Sequence, residues 1–155
     1  MSSELQIIQG LNGLRARVGQ EIALSDWQQV TQEQVQAFAD ITGDQQWIHT
    51  DPERARRETP FGGSIAHGFM SLAMLPKLLE DHIQLTGMKM VLNYGCNRVR
   101  FPAPLPTGSR IRARFTLASV ETIDSGAQVQ WLGTVEREGN EKPVCVAELL
   151  MRCYF

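Results

Sequence analysis

The 155-residue chain has few cysteines, no excess of either charge and no apolar run near the roughly 20 residues that span a bilayer. Its first residues, MSSELQIIQGLNGLRARVG, lack the basic start and apolar block of a secretory signal. No membrane partner is expected, and the setting expected is cytoplasmic. Lys and Arg number 15 against 17 Asp and Glu, a net charge of -2, which removes the electrostatic case for a nucleic-acid partner. Cys96, Cys145 and Cys153 are odd in number and have no CxxC or Cys/His spacing. They read as structural free thiols of a reducing compartment. A GxSxG elbow, a GxGxxG or GxxxxGK[ST] loop and an HxxE or HxH spacing are also missing, which argues against a serine hydrolase, a nucleotide cradle and a metal centre.

What remains is ordinary globular usage, 43% hydrophobic and 21% charged, with no repeat, low-complexity tract or linker. Residues 1–155 therefore read as a single domain, with residues 1–19 as an amino-terminal helical extension carrying Leu5, Ile8, Leu11 and Leu14. Glu21 to Trp27 is a weak first strand. Thr31 and Gln34 form a capping box ahead of Val35, Phe38, Ala39 and Ile41, and Gly43 suits the left-handed position that ends such a helix. Asp44 to Gly63 has the texture of loops and short helices. From His67 a broad apolar helix is expected to run to Gly87, with Pro76 kinking or breaking it. Extended segments follow: Met88 to Phe101 with a bulge at Gly95, then Ser109 to Thr116 with Arg110, Arg112 and Arg114 on one face. The strand around Trp131 and Val144 to Phe155 complete the set. Helices first and a meander of long strands afterwards predict an α+β fold, one buried helix embraced by a curved antiparallel sheet.

Three places carry possible chemistry. Asp44 precedes His49 by five residues in GDQQWIHTD, a spacing that puts the two on different faces of a helix. They converge only if the chain turns after Gly43, and the pair would then suit proton transfer through one water. The competing interpretation makes Asp44 a helix cap and His49 a solvent-facing residue. His67-Gly68 opens the apolar helix, so the Gly68 N–H and the positive helix end could stabilise an acyl oxygen. Alternatively, Gly68 only relieves crowding.

Three stretches in combination resemble the MaoC-like (R)-specific enoyl-CoA hydratases, particularly the NodN-type branch. They are FADITGDQQWIHTDPERA from Phe38, PFGGSIAHGFMSLAMLPKL from Pro60 and LNYGCNRVRFPAPLPTGSRI from Leu92. The resemblance implies a hotdog fold, a homodimer and an acyl-CoA substrate, with no cofactor beyond the coenzyme A that belongs to the substrate. It makes Asp44 and His49 the catalytic pair and the Gly68 N–H the donor to the thioester oxygen. Trp47, Ile48, His67 and Phe69 are the residues expected to contact substrate. Two departures stand out: Gln46-Trp47 replaces the usual Asn-Pro, and no serine of the central helix is carried over. The implied activity is reversible syn addition of water to a trans-2-enoyl-CoA. Rival expectations are a hotdog thioesterase and a non-catalytic acyl-thioester-binding protein. The pair ahead of the central helix speaks against both.

Overall fold

The structure is a computed structural model that describes residues 5–155. Its chain order is β1 (Gln6–Gln9), α1 (Gly10–Arg15), β2 (Glu21–Leu24), β3 (Gln28–Gln29), α2 (Gln32–Thr42), α3 (Trp47–Thr50) and α4 (Pro52–Glu58). The central helix α5 (Gly68–Glu80) follows, then β4 (Ile83–Thr86), β5 (Met90–Arg100), β6 (Arg110–Ile123), β7 (Gly126–Arg137) and β8 (Cys145–Tyr154). The main sheet is antiparallel in the order β2-β6-β7-β8-β5, with β3 also paired to β6. Helix α5 packs on β6, β7 and β8, which is the hotdog arrangement.

Alternation along the strands builds the core. On β6, Ile111, Ala113, Phe115 and Leu117 are fully buried, while Arg112 and Arg114 turn outward to Glu136 and Glu21. Trp131 and Val135 of β7 and Leu75 and Leu78 of α5 close the same layer. Each such large side chain contributes about 1.5–3 kcal/mol by leaving water. Strand β8 lies between β7 and β5 and alternates buried with half-buried residues throughout. Cys145 and Cys153 belong to its buried set, and burial pushes their thiols up to about 12 and about 11. Cys96 on β5 is exposed.

Three expectations change. The amino-terminal segment is not one helix: Gln6–Gln9 pairs in parallel with Ile83–Thr86, and only Gly10–Arg15 is helical. Residues 1–4 of that expected extension lie outside the described residues. Ile8 and Leu14 are buried whereas Leu5 and Ile7 are exposed, so a spacing of three spans two elements rather than one helical face. The central helix stops at Glu80, not Gly87, because the chain turns at Asp81 and His82, and Ile83–Thr86 takes up the strand opposite β1. Within α5, Pro76 does not end the helix. Interior proline costs roughly 3 kcal/mol, and burial of Leu75, Leu78 and Leu79 around it more than offsets that. The expected irregularity at Gly95 is present, as the pairing with β8 shifts between Asn93 and Gly95.

Candidate active site

The site forms where α2, α3 and the start of α5 meet. Helix α2 carries the capping box at Thr31 and Gln34 and ends at Gly43, whose φ of 77° turns the chain in a way open to glycine. That turn delivers Asp44 to the mouth of the site with its side chain 56% exposed. Asp44 does not cap a helix; its Oδ1 accepts a long bond from the Gln46 N–H at 3.4 Å, and Gln46 is the residue preceding α3. His49, on α3, is buried at 7% exposure rather than facing solvent.

His49 is clamped from two sides. Its Nδ1 lies 2.6 Å from the carbonyl of Ile65, and its own carbonyl accepts from Gln32 Nε2 at 2.8 Å. Ile65 is held in turn by its N–H on the Ile48 carbonyl at 3.0 Å. A carbonyl oxygen only accepts, so Nδ1 carries the hydrogen and Nε2 of neutral His49 is a bare acceptor. Three side-chain atoms, one each from Asp44, His49 and His67 (a carboxylate oxygen and two ring nitrogens), lie within 4.8 Å of one another. Burial holds the His49 pKa below its ordinary 6.5; the bond to Ile65 opposes this, His67 adds to it and Asp44 opposes it.

A cavity of about 200 Å³ adjoins His49 and is lined by Ala66, Gly68, Ser71, Phe101 and Leu105 among others. Gly68 is the first residue of α5 and lines the cavity, and His67 before it makes no side-chain cap, so the Gly68 N–H has no partner within the helix. A Cβ added at Gly68 would stand 2.7 Å from Cδ2 of Phe101 and 2.8 Å from its Cγ. The missing side chain thus admits the Phe101 ring, which is the relief of crowding considered for this residue. Ser71, 1% exposed, and Phe101 are cavity residues that sequence reasoning missed. The signal for Ser71 was available, since it follows Gly68 by three and shares its helix face. Phe101 has none, because it comes from the end of β5.

Of the residues expected to contact substrate, none lines this cavity. Trp47 is covered by the Arg54 guanidinium at 4.1 Å, Ile48 offers its carbonyl to Ile65, and Phe69 is exposed with its ring against Phe101. His67 lies behind His49, the two rings stacked with centroids 3.8 Å apart and planes 24° apart. That stacking also bears on metal binding. A metal sits in the plane of each imidazole that ligates it, and two nearly parallel planes do not meet near the nitrogens. The two rings are therefore not arranged to hold one ion between them.

A half-buried helix start and an acceptor imidazole line one small cavity, and the Asp44 carboxylate, though not part of that lining, comes within 4.8 Å of a His49 ring nitrogen, an arrangement suited to adding or removing water beside a carbonyl. Comparison with known proteins agrees. Residues 14–138 match the model of the MaoC like domain. Over 149 residues the chain is 50% identical to 3-hydroxyacyl-thioester dehydratase Z of Mycobacterium tuberculosis, covering 96% of this chain and 98% of that protein. It is 42% identical over 134 residues to nodulation protein N of Rhizobium leguminosarum, covering 85% and 83%. Among solved structures, R-hydratase PhaJ1 from Pseudomonas aeruginosa superposes with a TM-score of 0.71 at 23% identity over 88% of this chain and 81% of that one. The chain belongs to the MaoC-like dehydratase family, and it is a hydro-lyase. No helix among the described residues is long and apolar enough to cross a membrane.

Proposed function

We propose that the protein is an (R)-specific enoyl-CoA hydratase, adding water reversibly to trans-2-enoyl-CoA to give (R)-3-hydroxyacyl-CoA. The observation that carries this reading is the bare Nε2 of His49, fixed by the Nδ1–Ile65 bond, on a ring that has a nitrogen within 4.8 Å of an Asp44 carboxylate oxygen. One water bound between them would give a proton to Nε2 as its oxygen bonds to carbon 3, with Asp44 holding the second O–H. The imidazolium then returns that proton to carbon 2 from the same side, so the addition is syn and the atoms balance. Meanwhile the thioester oxygen gains charge and takes the Gly68 N–H, supported by the positive end of α5. The acyl thioester class is supported by the named activity of the mycobacterial relative, and the (R) configuration by the resemblance to (R)-specific hydratases.

The decisive assay follows crotonyl-CoA. Loss of the conjugated enoyl absorbance without free thiol, and oxidation of the product by an (R)-specific but not an (S)-specific 3-hydroxyacyl-CoA dehydrogenase, is the expected result. Thiol release would instead assign hydrolysis. No cofactor should be needed, so activity is expected to survive exhaustive chelation and dialysis.

The same reading includes a homodimer. Strand β5 is an edge of the sheet whose residues from Met90 to Asn97 are all exposed, including Val91, Leu92 and Tyr94. A long apolar edge is a pairing surface that a monomer leaves open. Sedimentation equilibrium should therefore return twice the 17.4 kDa chain mass, and a single-chain mass would remove this part.

The His49 environment also sets a pH dependence. Catalysis needs Nε2 unprotonated, and burial lowers the pKa from 6.5, so activity is lost only as pH falls through a value below 6.5. The acid limb of kcat/KM for crotonyl-CoA should have its midpoint below 6.5, and a midpoint above 7 would contradict the assignment.

A further inference from the structure

His67 precedes the first turn of α5 and is 3% exposed, yet it caps nothing there. Its Nε2 instead lies 3.0 Å from the backbone carbonyl of Asp44 and 3.9 Å from the Oδ2 of the same residue. The carbonyl only accepts, so Nε2 carries the hydrogen. Nδ1 is then a bare acceptor, buried and without a hydrogen-bond partner among the described residues. A buried polar atom left unsatisfied costs folding free energy, and an apolar ring would fill the same space without that cost. The Nε2–H bond to Asp44 is what an apolar ring could not supply.

The surroundings show what that bond does. Asp44 sits on an exposed loop whose other anchors are long: its N–H reaches Thr42 Oγ1 at 3.4 Å and its Oδ1 the Gln46 N–H at 3.4 Å. The bond from His67 is the shortest that holds it. On the other side, the His67 ring lies flat against that of His49 and is backed by Phe38 at 5.0 Å. We infer that His67 is a positioning residue that ties down the main chain of Asp44 with its Nε2–H and braces the His49 ring, so that one side chain sets the gap in which the reacting water is held. This rests on the hydratase reading for its catalytic meaning, though not for its geometry.

The bracing has an electrostatic consequence. Two stacked imidazoles resist carrying two charges, and His67 is one of the groups that lowers the His49 pKa. The other ionisable group acting on His49 is Asp44. Asp40 of α2 is engaged by Gln36 and Gln45, and Asp51 ahead of α4 by the N–H of Arg54. No charged residue opens α5. Replacing His67 by a residue that cannot take up a proton therefore moves the His49 titration upward.

Two substitutions separate the roles. His67→Gln offers an amide N–H near the Nε2 position but loses the ring, whereas His67→Phe keeps a ring and loses the N–H. With crotonyl-CoA as substrate, kcat is expected to fall about tenfold in the first and about a hundredfold in the second, KM staying within about twofold. The acid limb should move to higher pH in both. A raised KM with unchanged kcat would make His67 a substrate contact, and unchanged kcat and acid limb would make it merely structural; either overturns the inference. A measurement on the unaltered protein covers variants that fail to fold. In ¹⁵N-histidine NMR at neutral pH, His67 should be the Nε2–H tautomer and His49 the Nδ1–H tautomer, and His67 as Nδ1–H overturns the proposal. If those tautomers are found in a protein that hydrates no enoyl-CoA, the function reading fails while the positioning geometry stands.

Discussion

His49→Gln is expected to lower kcat/KM for enoyl-CoA hydration by roughly 10²- to 10⁴-fold, the range typical of losing a positioned proton carrier. Glutamine is the informative replacement because its amide can still bond a water where Nε2 stood, but it cannot take up and return a proton. The loss should appear in kcat with KM little altered, since His49 meets the reacting water rather than the remote acyl chain. Asp44→Asn makes the companion variant: it retains an oxygen for the Gln46 N–H and removes the charge that favours the imidazolium. Its loss should be large but smaller than that of His49→Gln if His49 carries the proton and Asp44 orients the water. Far-UV circular dichroism and thermal midpoint confirm that each variant is folded. Near-wild-type turnover in His49→Gln would remove His49 from the chemistry, and the mirror-image ranking would make Asp44 the base.

Much of the local structure around this site is legible in the sequence, and the reason is local. Thr31 with Gln34 and then Gly43 are short-range signals whose outcome depends on a few neighbouring dihedrals, and both helix ends fall where those residues place them. The strict alternation of Arg110, Arg112 and Arg114 with Ile111, Ala113 and Phe115 likewise reports directly on which face of β6 is buried. Pairing across the chain is a different matter. Nothing near Gln6–Gln9 announces that it will lie beside Ile83–Thr86, some 75 residues away, so both segments were read as helix. The site follows the same division. Asp44, His49 and Gly68 are singled out in the sequence because motif and spacing lie within short stretches. The clamp on His49 uses the Ile65 carbonyl and the Gln32 amide, and a backbone carbonyl has no residue type by which to recognise it. The stacking of His67 on His49 is not legible in the sequence, because it is a property of packing. Phe101 was invisible in the same way: its contact with Gly68 joins the end of β5 to the start of α5.

That contact gives the second large effect. Gly68→Ala is expected to lower kcat/KM by roughly 10²- to 10³-fold, the scale seen when a donor to a developing oxyanion is lost. The added Cβ would meet Cδ2 and Cγ of Phe101 at 2.7 and 2.8 Å, and Cγ is the anchored end of that ring. Either the ring swings outward, for which its 38% exposure leaves room, or the first turn of α5 retreats. A retreat carries the Gly68 N–H away from the thioester oxygen, and an outward swing opens the cavity wall beside His49 to water. A double-mutant cycle separates this crowding from a direct need for a bare Cα. Phe101→Ala alone should cost less than Gly68→Ala, because it leaves the helix start in place. Adding Gly68→Ala to Phe101→Ala should then cost less than about tenfold, because the atoms the Cβ would strike are gone. If the two losses instead multiply in full, the bare Cα serves the ligand itself, and the close approach of Phe101 is a consequence of the glycine rather than its reason.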